Sequence, residues 1–394
     1  MFDKQIEVAI DTKSWKRRPI PNWAATSPDV HTVNVAQALL MLGSITTPNG
    51  LSAGSPERYW ACIRYFSACT PTHDLRIRTP FQDLDPHQKG ILSDDFGVAI
   101  ATYWLQDQLG GVRSIVDGRR FSINMGVKRR LPKVGNRKCP DFVLEDSLGK
   151  FHLLECKGTQ SGRGYLDRAM RTGELQKRGI KIAPGLRGER LVIGLSLVGE
   201  ADTERSQLYV RDPSVEPISE IGKGDATHAS QIMRRLSLAR ALNLTGFGQT
   251  AFELAWPEDI RPGSPEVELL SQYEKKSLSR KREDRLRDWQ GEISQELTAA
   301  PQRKDGDFIT QAVRFDVPPL QIGSEKIATS VSVRRGIRRA VVDELARAGH
   351  EIRDAADEQL KGMKVAENIV SFSEGERSAR LDYGGYFFSE VIFS

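Results

Sequence analysis

Two absences narrow the classes of protein to which this 394-residue chain can belong. It has only four cysteines, too few for a disulfide framework in a chain of this length: Cys62, Cys69, Cys139 and Cys156. No apolar run approaches the length that spans a membrane, and the first residues lack the apolar core of a signal peptide. We therefore expect a cytoplasmic protein with no membrane partner.

Several motifs of nucleotide-driven and hydrolytic enzymes are missing as well. The chain has no phosphate-loop or helicase motif, no glycine-rich dinucleotide fingerprint and no serine-hydrolase elbow. The six residues between Cys62 and Cys69 fit no common zinc pattern. Any energy-driven movement along a nucleic acid would therefore depend on a separate ATPase or helicase partner.

Basic residues are concentrated in one part of the chain, although the net charge is only +5. Between positions 113 and 138 there are nine lysines and arginines against one acid. The basic region includes Arg129 and Arg130, and it continues with Arg163, Arg168 and Arg171. Such a region is either a solvated surface or a footprint for a phosphate backbone, and composition alone does not separate the two.

Within this basic region, three charged residues interrupt what otherwise has the composition of two buried strands. The stretch from 138 to 160 reads KCPDFVLEDSLGKFHLLECKGTQ. Positions 146–149 carry the residues of a type I turn with glycine in last place, which predicts a hairpin in which Asp146 pairs with Lys150. That register places Asp141 directly opposite Glu155.

Strand alternation puts Asp141, Glu155 and Lys157 on one face and Cys156 on the other. Like charges about 5 Å apart across a ladder are destabilising, so the two acids need a compensating cation. Lys157 supplies one charge, and two converging carboxylates also make a hard-oxygen site suited to Mg²⁺ or Mn²⁺. The pattern therefore predicts a divalent-metal site at Asp141 and Glu155.

The sequence Pro140-Asp141, a hairpin, and then Glu155-Cys156-Lys157 resembles the PD-(D/E)xK nuclease superfamily, which has the restriction-endonuclease-like fold. The resemblance implies that Asp141 and Glu155 bind one or two divalent metals. It also implies that Lys157 orients or polarises the attacking water and that the backbone carbonyl of Cys156 contacts the metal. The catalytic residues would then be Asp141, Glu155 and Lys157.

The resemblance further implies a core of a helix, three antiparallel strands, a helix and a strand. We expect this core over roughly residues 90 to 212, as an α/β fold (a mixed α+β sheet) with helix-rich flanking regions. The expected elements are a helix over 92–111 capped by Ser93, a strand with a turn at Asp117-Gly118, the two motif strands, a helix over 161–179, a strand over 190–199 and an edge strand over 206–212.

Many members of that superfamily carry a third metal-binding acid on the first core helix. Asp94 or Asp95 could take this role, and we prefer Asp95 because Gly97 and the apolar stripe follow it directly. Both could equally be acids near a helix N-terminus that interact with the helix dipole.

The chain divides by these patterns into an accessory region over 1–88, a nuclease core over 89–212 and a second accessory region over 213–394. The last region is a candidate for nucleic-acid or partner binding. It contains a predicted charged helix over 273–297 and a predicted basic helix bearing Arg334, Arg335, Arg338 and Arg339 on one side.

The predicted function is that of a Mg²⁺-dependent endonuclease that hydrolyses phosphodiester bonds. DNA is the expected substrate, RNA is a weaker candidate, and a setting in restriction or antiphage defence follows only by analogy. One alternative is a nucleic-acid-binding subunit with a regulatory or inactive nuclease core, although the intact acids and lysine argue against it. Another is a structural protein in which the motif is accidental, and a homo-oligomer is left open.

Overall fold

A computed structural model describes most of the chain, in separate stretches. The described residues are 2–16, 19–48, 56–125, 139–176, 180–183, 185–212, 220–255, 303–321, 327–348, 351–361, 367–373 and 376–394. The predicted charged helix over 273–297 lies outside them.

Strands occur along the whole described chain. They are β1 Asp3–Ile10, β2 Val30–Asn34, β3 Val112–Asp117, β4 Phe142–Asp146, β5 Phe151–Thr159, β6 Lys181–Ile182, β7 Arg187–Ser196, β8 Gln207–Arg211, β9 Glu220–Ile221, β10 Arg303–Asp305, β11 Phe308–Gln321, β12 Ile327–Arg338, β13 Glu367–Ser373, β14 Glu376–Tyr383 and β15 Phe387–Phe393.

Helices separate most of these strands. They are α1 Asn22–Ala25, α2 Val35–Thr46, α3 Trp60–Tyr65, α4 Thr79–Gln82, α5 Pro86–Gln108, α6 Gly118–Asn124, α7 Arg163–Gln176, α8 Ala226–Leu244, α9 Gly248–Ala255, α10 Arg339–Ala348 and α11 Ile352–Gln359. Among the helices that the structure describes, none has both the length and the apolar character needed to cross a bilayer.

Seven strands form one mixed sheet, in the order β2-β1-β8-β7-β5-β4-β3. β1 runs parallel to β8 and β5 runs parallel to β7, while the other neighbours are antiparallel. The mixed α/β class is therefore confirmed. β8 was expected at an edge, but it lies inside the sheet because β1 pairs with its outer side.

From α5 to β7 the elements come in the order α5, β3, β4, β5, α7 and β7, apart from the short α6 and β6. This is the expected succession of a helix, three antiparallel strands, a helix and a strand. β7 lies beside β5, so the strand that follows α7 closes onto the strand that carries Glu155 and Lys157. The two motif strands therefore lie in the interior of the sheet.

The first helix of this series begins earlier than the sequence predicts. Asp85 caps it, because its Oδ1 accepts hydrogen bonds from the backbone amides of His87 and Gln88. Ser93, the expected cap, is buried inside the helix, and its Oγ donates to the carbonyl of Lys89 at 2.6 Å.

The turn expected at Asp117-Gly118 is instead the start of α6. Oδ1 of Asp117 accepts from the backbone amide of Arg120 at 2.7 Å and so caps this helix. A Cβ on Gly118 would lie 2.2 Å from the carbonyl oxygen of Pro140, so only glycine permits this close approach. The end of β3 is thereby held against the residue that precedes Asp141.

The C-terminal part of the described chain is rich in strands, contrary to the expectation of a helix-rich flank. Its antiparallel sheet has the order β10-β11-β12-β15-β14-β13. Arg334, Arg335 and Arg338 were expected on a helix, but they lie in β12, and the helix begins only at Arg339. Pairing of β12 with both β11 and β15 overrides the helical spacing of these arginines.

The helix α2 connects the two sheets. It packs against α5 and against β14 and β15, and every residue from Val35 to Ile45 is buried. Gln37 accepts a hydrogen bond from the Tyr103 hydroxyl of α5 at 2.9 Å and donates one to the Arg380 carbonyl of β14 at 3.1 Å. The first 88 residues thus supply β1 and β2 to the main sheet and a helix to the core.

Candidate active site

The β4–β5 hairpin has the register that its turn residues predict. The Asp146 amide donates to the Lys150 carbonyl at 3.0 Å, and Gly149 has a φ of +72°, as the turn requires. Phe142 pairs with Leu154. The next opposing pair, one step beyond the end of β4, is therefore Asp141 and Glu155.

Beyond the end of β4, the backbone amides on one edge of β5 no longer have a strand as their partner. Two carboxylates take its place. Oδ2 of Asp141 accepts from the amide of Cys156 at 2.8 Å, and the amide of Gly158 donates to the carboxylate of Asp94. Because the N–H and C=O of one strand residue point to the same side, the Cys156 carbonyl also lies on the edge that Asp141 occupies.

The side chains of Glu155 and Lys157 lie on the face of β5 that α7 covers. Nζ of Lys157 donates to Oε1 of Glu155. Oε2 of Glu155 is buried and has no hydrogen-bond partner among the described residues, and the residue as a whole is 0% exposed. An unpaired carboxylate oxygen in such a place is costly, so it needs a proton or a cation.

Electrostatics at the pair favour the uptake of positive charge. Burial, reinforced by the negative charge of Asp141, raises the pKa of Glu155 to about 8. Burial also raises the pKa of Asp141, against the opposing effects of Lys157 and the Cys156 amide. For Lys157, burial alone would lower the pKa, but the charges of Glu155 and Asp141 outweigh it and raise the pKa.

Two helices approach β5 closely at the site. A Cβ on Gly158 would lie 1.7 Å from the carbonyl oxygen of Ser93, so α5 rests directly on the strand backbone. On the α7 side, a Cβ on Gly173 would lie 2.9 Å from Cγ of Glu155 and 3.4 Å from Cε of Lys157. Glycine at 158 lets α5 pack against the strand backbone, and glycine at 173 lets α7 close over the charged pair.

The structure does not bring Asp95, the preferred third acid, to the other two. Its Oδ2 accepts from the Tyr65 hydroxyl at 2.5 Å, and Arg64 is the positive charge that acts on it. Asp94 is the acid of α5 that faces the site, because its charge acts on Asp141. One helical position separates the two, and Asp94 replaces Asp95 as the third candidate ligand.

Asp117 is a neighbour of the site that the sequence did not indicate. It lies at the end of β3, opposite Phe142 in β4, and its charge raises the pKa of Asp141. Antiparallel pairing of β3 with β4 would have indicated this position, since it sets Asp117 beside the start of β4. The sequence does not predict the pairing there, because Asp117-Gly118 has the composition of a turn.

The predicted nucleic-acid-binding arginines divide into three groups. Arg168 and Arg171 are exposed on α7, the helix that covers Glu155 and Lys157. Arg163, at the start of α7, lies over the ring of Tyr209 at 3.2 Å and pairs with Asp167 at 3.1 Å. The two remaining ones lie outside the described residues: Arg129 and Arg130.

The donor set fits a hard divalent cation. Two carboxylates with raised pKa values and the Cys156 carbonyl lie around β5, and Oε2 of Glu155 lacks a partner within the described chain. The Cys156 side chain itself is buried on the opposite face, in the main core. Among the described residues, no group of three His, Cys, Asp or Glu side chains is arranged to hold a metal by itself. Water and a substrate phosphate would have to complete the coordination.

Comparisons of the chain with models of protein families, with curated proteins and with solved structures found no match.

Proposed function

We propose that this protein is a divalent-metal-dependent nuclease that hydrolyses phosphodiester bonds in DNA. The observation that carries the proposal is the pair formed by Asp141 and Glu155, with Lys157 in contact with Glu155 and with Oε2 of Glu155 buried without a partner among the described residues. A buried carboxylate oxygen without a partner is costly in an ion pair that serves structure alone, whereas a bound cation would satisfy it.

The order of elements supports the resemblance to the PD-(D/E)xK superfamily. The first helix, the three antiparallel strands, the second helix and the parallel strand β7 follow one another as the restriction-endonuclease-like core requires. Asp141 directly precedes the second of these strands, and Glu155 and Lys157 lie in the third. We assign the 86–196 part of the chain to that core on this basis.

Asp141 and Glu155 would hold Mg²⁺ or Mn²⁺ together with the Cys156 carbonyl, and Asp94 lies near enough to act on Asp141. The ion, when bound, supplies positive charge at the scissile phosphate and lowers the pKa of a water molecule. Once Glu155 is engaged, the Lys157 ammonium is freed to donate to the attacking water or to a phosphate oxygen. Its position beside both acids orients that donation.

DNA is the proposed substrate because exposed arginines lie on the helix that covers the site. Arg168 and Arg171 project from α7 into solvent, where they can contact successive phosphates. A cytoplasmic setting in restriction or antiphage defence is part of the proposal, and the free thiols of Cys62, Cys69 and Cys156 agree with a reducing compartment. A separate ATPase or helicase would be needed for any translocation.

Cleavage of supercoiled and linear plasmid DNA tests this proposal. Mg²⁺ or Mn²⁺ should support cleavage, EDTA should abolish it, and Ca²⁺ should permit DNA binding with little turnover. Glu155→Gln should be inactive, whereas Asp95→Asn, the matched amide substitution on an acid that the structure turns away from the site, should stay active. Undiminished cleavage in EDTA would rule out this site as the catalyst.

A further inference from the structure

A cavity lined by charged and apolar side chains lies beside the candidate active site and is not used by it. Its volume is about 400 Å³, within the range of small-molecule sites. Its walls come from the end of α2, the β3–α6 junction, the start of β4, and the helices α8 and α9. Four charged side chains line it: Asp117, Arg119, Arg120 and Arg240.

The charge of this cavity is positive. Three guanidinium groups face one carboxylate, and that carboxylate already caps α6 through the Arg120 amide. Burial raises the pKa of Asp117, and the charges of Arg120 and Arg119 oppose this effect. Arg240 is not among the groups that act on Asp117.

Arg240 has only neutral neighbours among the described residues for which a contact is known. Its Nη1 donates to the Ile115 carbonyl, and its guanidinium lies 5.9 Å from the centre of the Tyr383 ring. Burial lowers its pKa, and the groups that oppose this effect are Tyr383 and Tyr386, which are not carboxylates. The part of the side chain that is not buried lines the cavity. A cation held in this way can gain from an anion that enters the cavity.

Apart from Thr46 and Thr47, the rest of the wall is apolar. Its apolar residues include Ile123, Phe142, Leu236 and Ala239. A ligand that suits both parts must carry an anionic group and a flat or apolar body of moderate size. Inorganic phosphate alone would leave the apolar wall uncovered.

We propose that this cavity binds a nucleoside monophosphate unit, with its phosphate at Arg119, Arg120 and Arg240 and its base against Phe142 and Leu236. The unit can be a free nucleotide or one nucleotide of a strand. The site does not depend on cleavage, so it stands or falls separately from the proposed nuclease activity.

The cavity and the catalytic pair are adjacent in the fold, because both involve the start of β4. Phe142, which lines the cavity, directly follows Asp141 in the chain, and the Gly118 amide donates to the Asp141 carbonyl at 2.9 Å. The two sites are nevertheless built from different side chains. A ligand in the cavity would therefore contact neither Glu155 nor Lys157.

Calorimetric titration of the full chain in EDTA tests the proposal, with the Glu155→Ala variant used to prevent turnover. The probes are dAMP, inorganic phosphate and a single-stranded oligonucleotide of about ten nucleotides. dAMP should bind more tightly than phosphate. Arg119→Ala and Arg240→Gln should each weaken binding about tenfold to hundredfold, the usual effect of losing a charge-assisted hydrogen bond.

Two further variants separate charge, shape and folding. Ala239→Phe adds bulk at the cavity wall without removing an arginine, so a folded Ala239→Phe variant should also lose dAMP binding. Arg113→Ala is the matched control, because Arg113 lies on β3 but donates to the Ser147 carbonyl at the closed end of the hairpin. It should bind dAMP normally. Should Arg240→Gln fail to fold, Arg119→Ala, on an exposed side chain, carries the same test.

The outcomes also identify the source of the ligand. Binding of dAMP that the cavity variants weaken supports a free nucleotide as ligand. Binding of the oligonucleotide alone, weakened by the same variants, supports a nucleotide within a strand. If neither probe binds at millimolar concentration, or if the cavity variants bind like Arg113→Ala, the proposal is overturned. Loss of plasmid cleavage with normal dAMP binding would count only against the nuclease proposal.

Discussion

Glu155 is the residue on which the chemistry of the candidate site depends. One of its carboxylate oxygens contacts Lys157, and the other is buried without a partner in the described part of the chain. Burial and the charge of Asp141 both favour its neutral form. A carboxyl in this position keeps a proton until a cation replaces it, so metal binding and proton release should be coupled.

The affinity for metal should therefore rise with pH. Because the pKa of Glu155 is about 8, metal must displace a proton below that pH. Mn²⁺ affinity should increase by up to about tenfold per pH unit from about pH 6 to about pH 8 and then level off. Calorimetry in two buffers with different ionisation heats should show release of about one proton near pH 7. An affinity that stays constant over this range would contradict the role of Glu155 as a ligand.

At the level of secondary-structure elements, the site is shaped by the approach of α5 and α7 to β5. Gly158 meets α5 and Gly173 of α7 lies over Glu155 and Lys157. A side chain at either position would push a helix away from the strand. The geometry of the charged pair is thus set by glycines that have no chemistry of their own.

Gly173→Ala should disturb the site without changing any charged residue. Its Cβ would lie 2.9 Å from Cγ of Glu155 and 3.2 Å from Cγ1 of Val192, so the helix must shift. We expect destabilisation of about 1–3 kcal/mol and at least about a tenfold loss of single-turnover cleavage. Gly164→Ala is the matched control in the same helix, because nothing lies within 4 Å of its Cβ. It should cleave normally and gain up to about 1 kcal/mol in unfolding free energy. Equal cleavage by both variants would contradict the proposed closeness of α7.

The elements also show which parts of the molecule the sequence predicts. The hairpin register follows from local turn chemistry at Asp146–Gly149, so Asp141 and Glu155 could be paired from the sequence alone. The sequence alone could not decide between Asp94 and Asp95 as the third candidate ligand. That choice depends on the rotation of α5 about its axis, which is set by distant contacts such as the one with Tyr65. The sequence also does not predict the position of β8 inside the sheet, because its partner strand β1 lies about 200 residues earlier in the chain.

At the scale of the whole molecule, the main sheet is assembled from distant parts of the chain. β1 and β2 come from the first 34 residues; β1 pairs with the outer side of β8, and β2 pairs with β1. Trp23 of the same region packs edge-on against Trp104 of α5, with ring centres 5.5 Å apart. Residues 1–88, expected to be accessory, are therefore part of the structure that holds the site.

A fragment over 86–212 should consequently fail to fold as an independent domain. It would lose the strand that pairs with β8 and would expose buried residues of α5 such as Trp104, which is 1% exposed in the full chain. Circular dichroism and size-exclusion chromatography should show no cooperative thermal unfolding and a tendency to aggregate, whereas the full chain unfolds cooperatively. A monomeric fragment with a sharp unfolding transition would show that the core is autonomous.

The most direct test of the metal-dependent nuclease proposal compares two identical changes in one hairpin. Glu155→Gln removes the candidate ligand, and Glu145→Gln removes a buried carboxylate that instead accepts from the Ser230 hydroxyl at 2.7 Å. Folded proteins should be scored for Mn²⁺ binding by calorimetry and for Mg²⁺-dependent plasmid cleavage, with Lys157→Ala alongside. We expect Glu155→Gln to lose both Mn²⁺ binding and cleavage, and Glu145→Gln to keep both properties. Lys157→Ala should bind Mn²⁺ without cleaving DNA. Wild-type metal binding and cleavage by Glu155→Gln would contradict the proposal.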